Sequence, residues 1–80
     1  MGAITRDPAD LVPGRRYVMR HLDHPERPES EGAFDGLRES EWEEAGDELH
    51  VFFTDGRIGD VPQRIFGFPS SQRREFREVA

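Results

Sequence analysis

The chain has 80 residues, no cysteine, 34% hydrophobic residues, 11 basic residues that are all arginine, and a formal net charge of -6. One small domain with a core of Phe, Tyr and Trp is what this composition allows, and a disulfide framework or thiolate metal site is excluded. No apolar run nears the ~18 residues of a membrane span, the N-terminus lacks a signal-peptide-like apolar region, and the acidic balance disfavours a phosphate backbone, so a cytoplasmic protein without a membrane partner is expected.

Residues 1–6 are expected to fray, as chain ends do without partners. Asp7-Pro8-Ala9-Asp10 places a capping carboxylate before proline at the first helical position, which predicts one helical turn. Leu11-Val12-Pro13-Gly14 then leads into a strand over Arg15–Leu22. Tyr17 and Met19 should point inward, because Arg16 and Arg20 share the face of Val18. Asp23–Glu31, with two prolines and dense charge, reads as a loop. Gly32–Glu39 reads as a second strand, with Phe34 opposed to Ala33, Asp35 and Leu37. Ser40-Glu41-Trp42-Glu43 matches a capping box, so Glu41–Ala45 reads as a short helical turn or a charged loop.

Leu49–Val61 reads as a β-hairpin. Asp55-Gly56 is placed as its type I′ turn, since that pair tolerates positive φ at both central positions. Gly59 is placed as a bulge in the returning strand. Pro62–Ile65 should form a 3₁₀ turn and Phe66–Phe68 a short strand. Pro69-Ser70-Ser71 breaks the chain. Gln72–Ala80 stays open between a helix and a closing strand, and residues 77–80 are expected to fray.

Gly14-Arg15-Arg16-Tyr17, Gly32-Ala33-Phe34-Asp35-Gly36, the Asp55-Gly56 hairpin and Val61-Pro62-Gln63-Arg64-Ile65 together resemble the SH3-like and Sm-like small barrels. The resemblance covers residues 11–68. It implies a single all-β domain over residues 1–80, an SH3-like barrel of about five short antiparallel strands with one or two helical turns. RNA-binding Sm proteins carry a loop asparagine and an Arg-Gly pair, where this chain has Thr54-Asp55-Gly56. No nucleotide-binding residue therefore carries over. Similar acidic Sm-like proteins include a bacterial inhibitor of transcription termination that works by protein contact, which serves as an analogy.

His21, Asp23 and His24 are the residues nearest to a metal-ligand set, but the histidines straddle a strand end and convergence is not expected. The serines sit in turns or cap-like contexts and no glycine-rich phosphate loop is present, so no catalytic residue, metal or cofactor is assigned. The most unusual stretch is the acidic run Glu39-Ser40-Glu41-Trp42-Glu43-Glu44. Tryptophan is enriched at binding hot spots, and carboxylates around it can steer a basic partner. The alternatives are a solvated face, or Trp42 closing one end of the barrel. The residues assigned to partner binding are Glu39, Glu41, Trp42, Glu43 and Glu44, with Asp23, His24 and Arg27 of the loop as a second surface. The expected function is a non-enzymatic protein-binding module, a small acidic regulatory or inhibitory adaptor of a bacterium or phage, whose partner has a basic surface. The rival is nucleic-acid binding through a face of Arg15, Arg16, Arg20 and Arg57.

Overall fold

A computed structural model of the chain describes residues 4–39 and 48–79. Its elements in chain order are β1 (Ile4–Thr5), a 3₁₀ turn (Pro8–Asp10), β2 (Arg16–His21), β3 (Ser30–Glu39), β4 (Leu49–Ile58), β5 (Val61–Pro69) and β6 (Arg74–Glu78). All six strands belong to one antiparallel sheet in the order β1-β6-β2-β3-β4-β5. The all-β expectation holds. The sheet is open, with β1 and β5 as its edges, and has six strands where five were expected.

Local chemistry accounts for the first elements. The Asp7 side chain accepts the Ala9 N–H at 2.9 Å and Pro8 opens the 3₁₀ turn, where a helical turn was expected. Tyr17 and Met19 face inward as expected, at 4% and 0% exposure. The Val12 N–H donates to the Tyr17 hydroxyl at 3.0 Å, which holds the incoming segment against the sheet with Leu11 buried. Both chain ends take part in the ladder: Ile4 and Thr5 lie opposite Arg77 and Phe76, and Glu78 lies opposite Tyr17. The C-terminal segment is therefore a strand, and it is stitched between β1 and β2.

A single sheet can bury one face only by rolling that face onto itself. Phe53 sits at the centre of the roll, fully buried. Its ring lies 5.7 Å from Phe34, 5.5 Å from Phe66, 5.9 Å from Phe68 and 6.2 Å from Phe76 between centroids. Phe68 of β5 also stacks on Phe76 of β6 at 6.0 Å. In sheet order β2, β3 and β4 lie between β6 and β5, so this contact requires the two ends of the sheet to curl toward each other.

Two bulges between β3 and β4 supply local curvature. Glu31 lies opposite Arg57, yet Ala33 lies opposite Thr54, so Asp55 and Gly56 together oppose Gly32. Phe34 faces Phe53 and Gly36 faces Phe52, which leaves Asp35 as an extra residue in β3. The Asp55-Gly56 pair is thus a bulge and not the hairpin turn assigned from sequence. Asp55 still adopts positive φ, 51°, the property that made a turn plausible. The turn itself is Gly59-Asp60, with Ile58 opposite Val61 and Gly59 at φ 58°, so Gly59 is not a strand bulge.

Long-range pairing decides between the two placements. With the turn at Gly59-Asp60, Phe66 and Phe68 fall opposite Phe53 and Val51, and all four side chains enter the core. A turn at Asp55-Gly56 would have set Ile58 opposite Phe53. The same pairing draws Pro62–Ile65 into β5, so the expected 3₁₀ turn is absent there. The expected helical turn at Glu41–Ala45 lies outside the described residues. No helix among the described residues is long and apolar enough to cross a membrane.

Candidate functional site

The roll leaves a seam where β5 and β6 approach through side chains without pairing through their backbones. A cavity of about 180 Å³ lies along it, where β2, β3, β5 and β6 meet the loop joining β2 to β3. Its polar lining is His21 at the end of β2, Arg27 in the loop, Ser30 at the start of β3 and Arg74 at the start of β6. Phe66 and Phe68, with Pro28 and Ile58, form its apolar wall, and no carboxylate among the described residues lines it.

Arg74 is the central group. Its guanidinium lies 4.0 Å from the centroid of the Phe68 ring, and its Nε and Nη2 donate to Gln72 Oε1 at 3.3 and 3.0 Å. Burial pulls its pKa down to about 10, and the charge of Arg27 adds to the shift. Among the described residues neither Arg74 nor Arg27 forms an ion pair. Two guanidinium groups therefore share one cavity without a counter-charge from the described residues of its lining.

His21 is buried at 8% exposure, and its Nδ1 accepts the His24 N–H at 3.2 Å. The neutral ring then carries its proton on Nε2. Burial lowers the His21 pKa below 6.5, with the charges of Arg74, His24 and Arg27 acting the same way and Asp23 opposing them. Ser30 is 3% exposed, and its buried hydroxyl has no hydrogen-bond partner among the described residues. An orphaned buried hydroxyl costs about 1–3 kcal/mol unless some other group satisfies it.

The residues singled out from sequence are dispersed. Asp23, His24 and Arg27 occupy the loop, all exposed, and only Arg27 lines the cavity. Asp23 is tied to Arg73 at 3.0 Å, and His24 Nδ1 lies 3.4 Å from Glu26. Glu39 is exposed at the end of β3. Glu41, Trp42, Glu43 and Glu44 lie outside the described residues. The rings of His21 and His24 do approach, at 4.8 Å between centroids. His21 Nδ1 is however engaged by backbone, and among the described residues no group of three His, Cys, Asp or Glu side chains is arranged to hold a metal.

The four arginines of the rival reading are each engaged by a carboxylate. Arg15 pairs with Glu78 at 3.2 Å and Arg20 with Glu75 at 3.5 Å. Arg16 and Arg57 both reach Glu31 at 3.3 Å. Arg16 also donates to the Asp55 carbonyl at 2.9 Å, across the bulge. These side chains lace strands together. The sequence reading gives Arg74 no role and sets Ser30 aside as a turn serine, since Arg74 stands in a segment open between helix and strand and Ser30 inside the expected loop Asp23–Glu31. The Arg73-Arg74 doublet was the one available signal.

Comparison with protein-family models, with curated proteins and with solved structures gives no match for this chain.

Proposed function

We propose that the protein is a non-enzymatic protein-binding module, an SH3-like barrel left open at the seam between β5 and β6, which receives a strand of its partner along the free edge of β5. The reading rests on the length and composition of that edge. β5 runs for nine residues and among the described residues pairs with β4 alone, and it exposes Val61 and Ile65 at 60% and 49%. Long unpaired edges are templates for strand addition, with backbone bonds giving affinity and alternate side chains giving specificity. The pair closing a two-residue hairpin is hydrogen bonded, so alternate residues of β5 turn their backbone groups away from β4. These are Pro62, Arg64, Phe66 and Phe68. A proline at one of them fits an edge, because no ladder donor is lost there. The net charge of -6 favours a partner with a basic surface, as expected of an acidic adaptor of bacterial or phage origin.

Arg64→Pro removes one outward N–H without touching the β4 ladder, and Arg64→Ala controls for the lost charge. Wild type and both variants serve as baits for capture from lysate of the source cells. Proteins held by wild type and Arg64→Ala but released by Arg64→Pro are the expected result. On the reconstituted pair, slowed hydrogen exchange at Arg64, Phe66 and Phe68 should accompany binding. A folded Arg64→Pro variant that retains every captured protein would refute strand addition.

A further inference from the structure

We propose that the cavity at the seam is a binding site for a phosphoryl group, carried by free phosphate or by a phosphate monoester. Among the described residues each polar side chain of its lining can donate: Arg27 and Arg74 through their guanidiniums, Ser30 through its hydroxyl, and His21, whose neutral ring carries its proton on Nε2. Among the described residues, the acidic side chains that neutralise so many arginines of this chain are absent from the lining. Those arginines pair with carboxylates on β3 and β6, outside the cavity: Arg15 with Glu78, Arg20 with Glu75, and Arg16 and Arg57 with Glu31. An uncompensated pair of guanidiniums in an acidic protein is a local field that an anion relieves.

The donors come from three strands and a loop that surround the cavity, and this arrangement favours a tetrahedral oxyanion with three free oxygens over a planar carboxylate with two. Ser30 lines the cavity, its buried hydroxyl has no partner among the described residues, and a small rotation toward a bound oxyanion would give it an acceptor. Size agrees. At about 30 Å³ per water, a 180 Å³ space holds roughly six waters, enough for a phosphoryl group and part of an attached body. Phe66 and Phe68 offer that body an aromatic wall. The proposal does not rest on strand addition at β5.

Isothermal titration calorimetry of the full chain at low salt tests it, with inorganic phosphate, phenyl phosphate and benzoate as probes. Both phosphates are expected to bind, and benzoate to bind at least roughly tenfold more weakly than phenyl phosphate. The order of the two phosphates names the source, with the aromatic wall favouring the monoester. Arg74→Gln and Arg27→Gln should each weaken binding roughly tenfold, while Arg64→Gln, whose side chain lies outside the cavity, should leave it unchanged. Arg27 is exposed in a loop, so its variant stays informative if Arg74→Gln fails to fold. Ser30→Ala should weaken phosphate binding severalfold while leaving melting temperature equal or higher. Absence of binding by both phosphates would overturn the site. Equal affinity for benzoate, or an equal loss in Arg64→Gln, would overturn it too, since the attraction would then be to charge in general.

Discussion

Gly56→Ala separates the bulge from the turn it was taken for. A Cβ built on Gly56 lies 1.8 Å from the Glu31 carbonyl oxygen and 2.8 Å from both the Glu31 carbonyl carbon and the Gly32 Cα. All three atoms are backbone of the neighbouring strand, so no side chain can swing aside. Reaching the ~3 Å that real Cβ atoms tolerate means opening the ladder there by roughly 1.2 Å. Overpacking of a close-packed region costs about 1–3 kcal/mol, and more where backbone must move. We therefore expect at least about 3 kcal/mol of destabilisation. In a type I′ turn the same alanine would meet open space and cost about 1–2 kcal/mol of left-handed backbone strain. Gly14→Ala supplies that reference within the molecule, because Gly14 has φ +86° and a Cβ there has nothing within 4 Å. An 80-residue domain has total stability of about 4–12 kcal/mol, so both losses are measurable by urea unfolding. A Gly56→Ala loss within about 1 kcal/mol of the Gly14→Ala loss would refute the bulge.

Phe53→Ala should cost about 3–5 kcal/mol, while Ile65→Ala on the exposed edge should cost under about 0.5 kcal/mol, both read from denaturant midpoints. Ser30→Ala should stabilise the ligand-free protein by about 1 kcal/mol, because it removes a buried hydroxyl with no partner among the described residues; a loss of that size would show that the hydroxyl is satisfied in solution. His21 is held below its ordinary pKa of 6.5, so the unfolded chain takes up the proton first. Wild-type stability should accordingly fall as pH drops from neutrality through 6.5, and His21→Gln should lose that part of the slope; an unchanged slope would mean that His21 titrates normally in the folded state.

Strand positions whose neighbours carry the same message were legible from sequence. Tyr17 and Met19 alternate against Arg16 and Arg20, and that local contrast fixed their inward direction before any partner strand was known. Asp7-Pro8 marked its turn by side-chain chemistry alone. What local reading missed were choices made by distant pairing. Asp55-Gly56 and Gly59-Asp60 both tolerate positive φ, and only the demand of Phe66 and Phe68 to reach the core selects the second as the turn. Once β5 is set by that choice, Pro62 ceases to be a helical signal and becomes an edge-strand proline. The cavity shows the same limit more strongly. Its four polar residues are spread from position 21 to position 74, and no spacing in the chain relates them.

The distribution of charge links the open sheet to the proposed site. In a hydrogen-bonded barrel, β5 would pair through its backbone with the other edge, β1, and the space between β5 and β6 would close. Here they meet through Phe68, Phe76 and the Arg74 guanidinium lying on the Phe68 ring, which spaces the two backbones by the width of side chains. The seam thus stays open because aromatic and guanidinium groups fill it, and the same guanidinium is left half-buried without a carboxylate. Elsewhere the protein neutralises arginine readily, with Glu31 alone serving Arg16 and Arg57 on the strands at either side of it. A chain with 17 acidic residues had carboxylates to spare for Arg74, and its nearest acidic neighbour in sequence, Glu75, faces Arg6 and Arg20 instead. Strand alternation is the cause: Arg74 and Glu75 point to opposite faces of β6, so the carboxylate is committed to the outer face and the cation to the seam. Moving a carboxylate into the lining, as in Ser30→Asp, would supply the missing partner and should abolish phosphate binding while leaving the arginines in place.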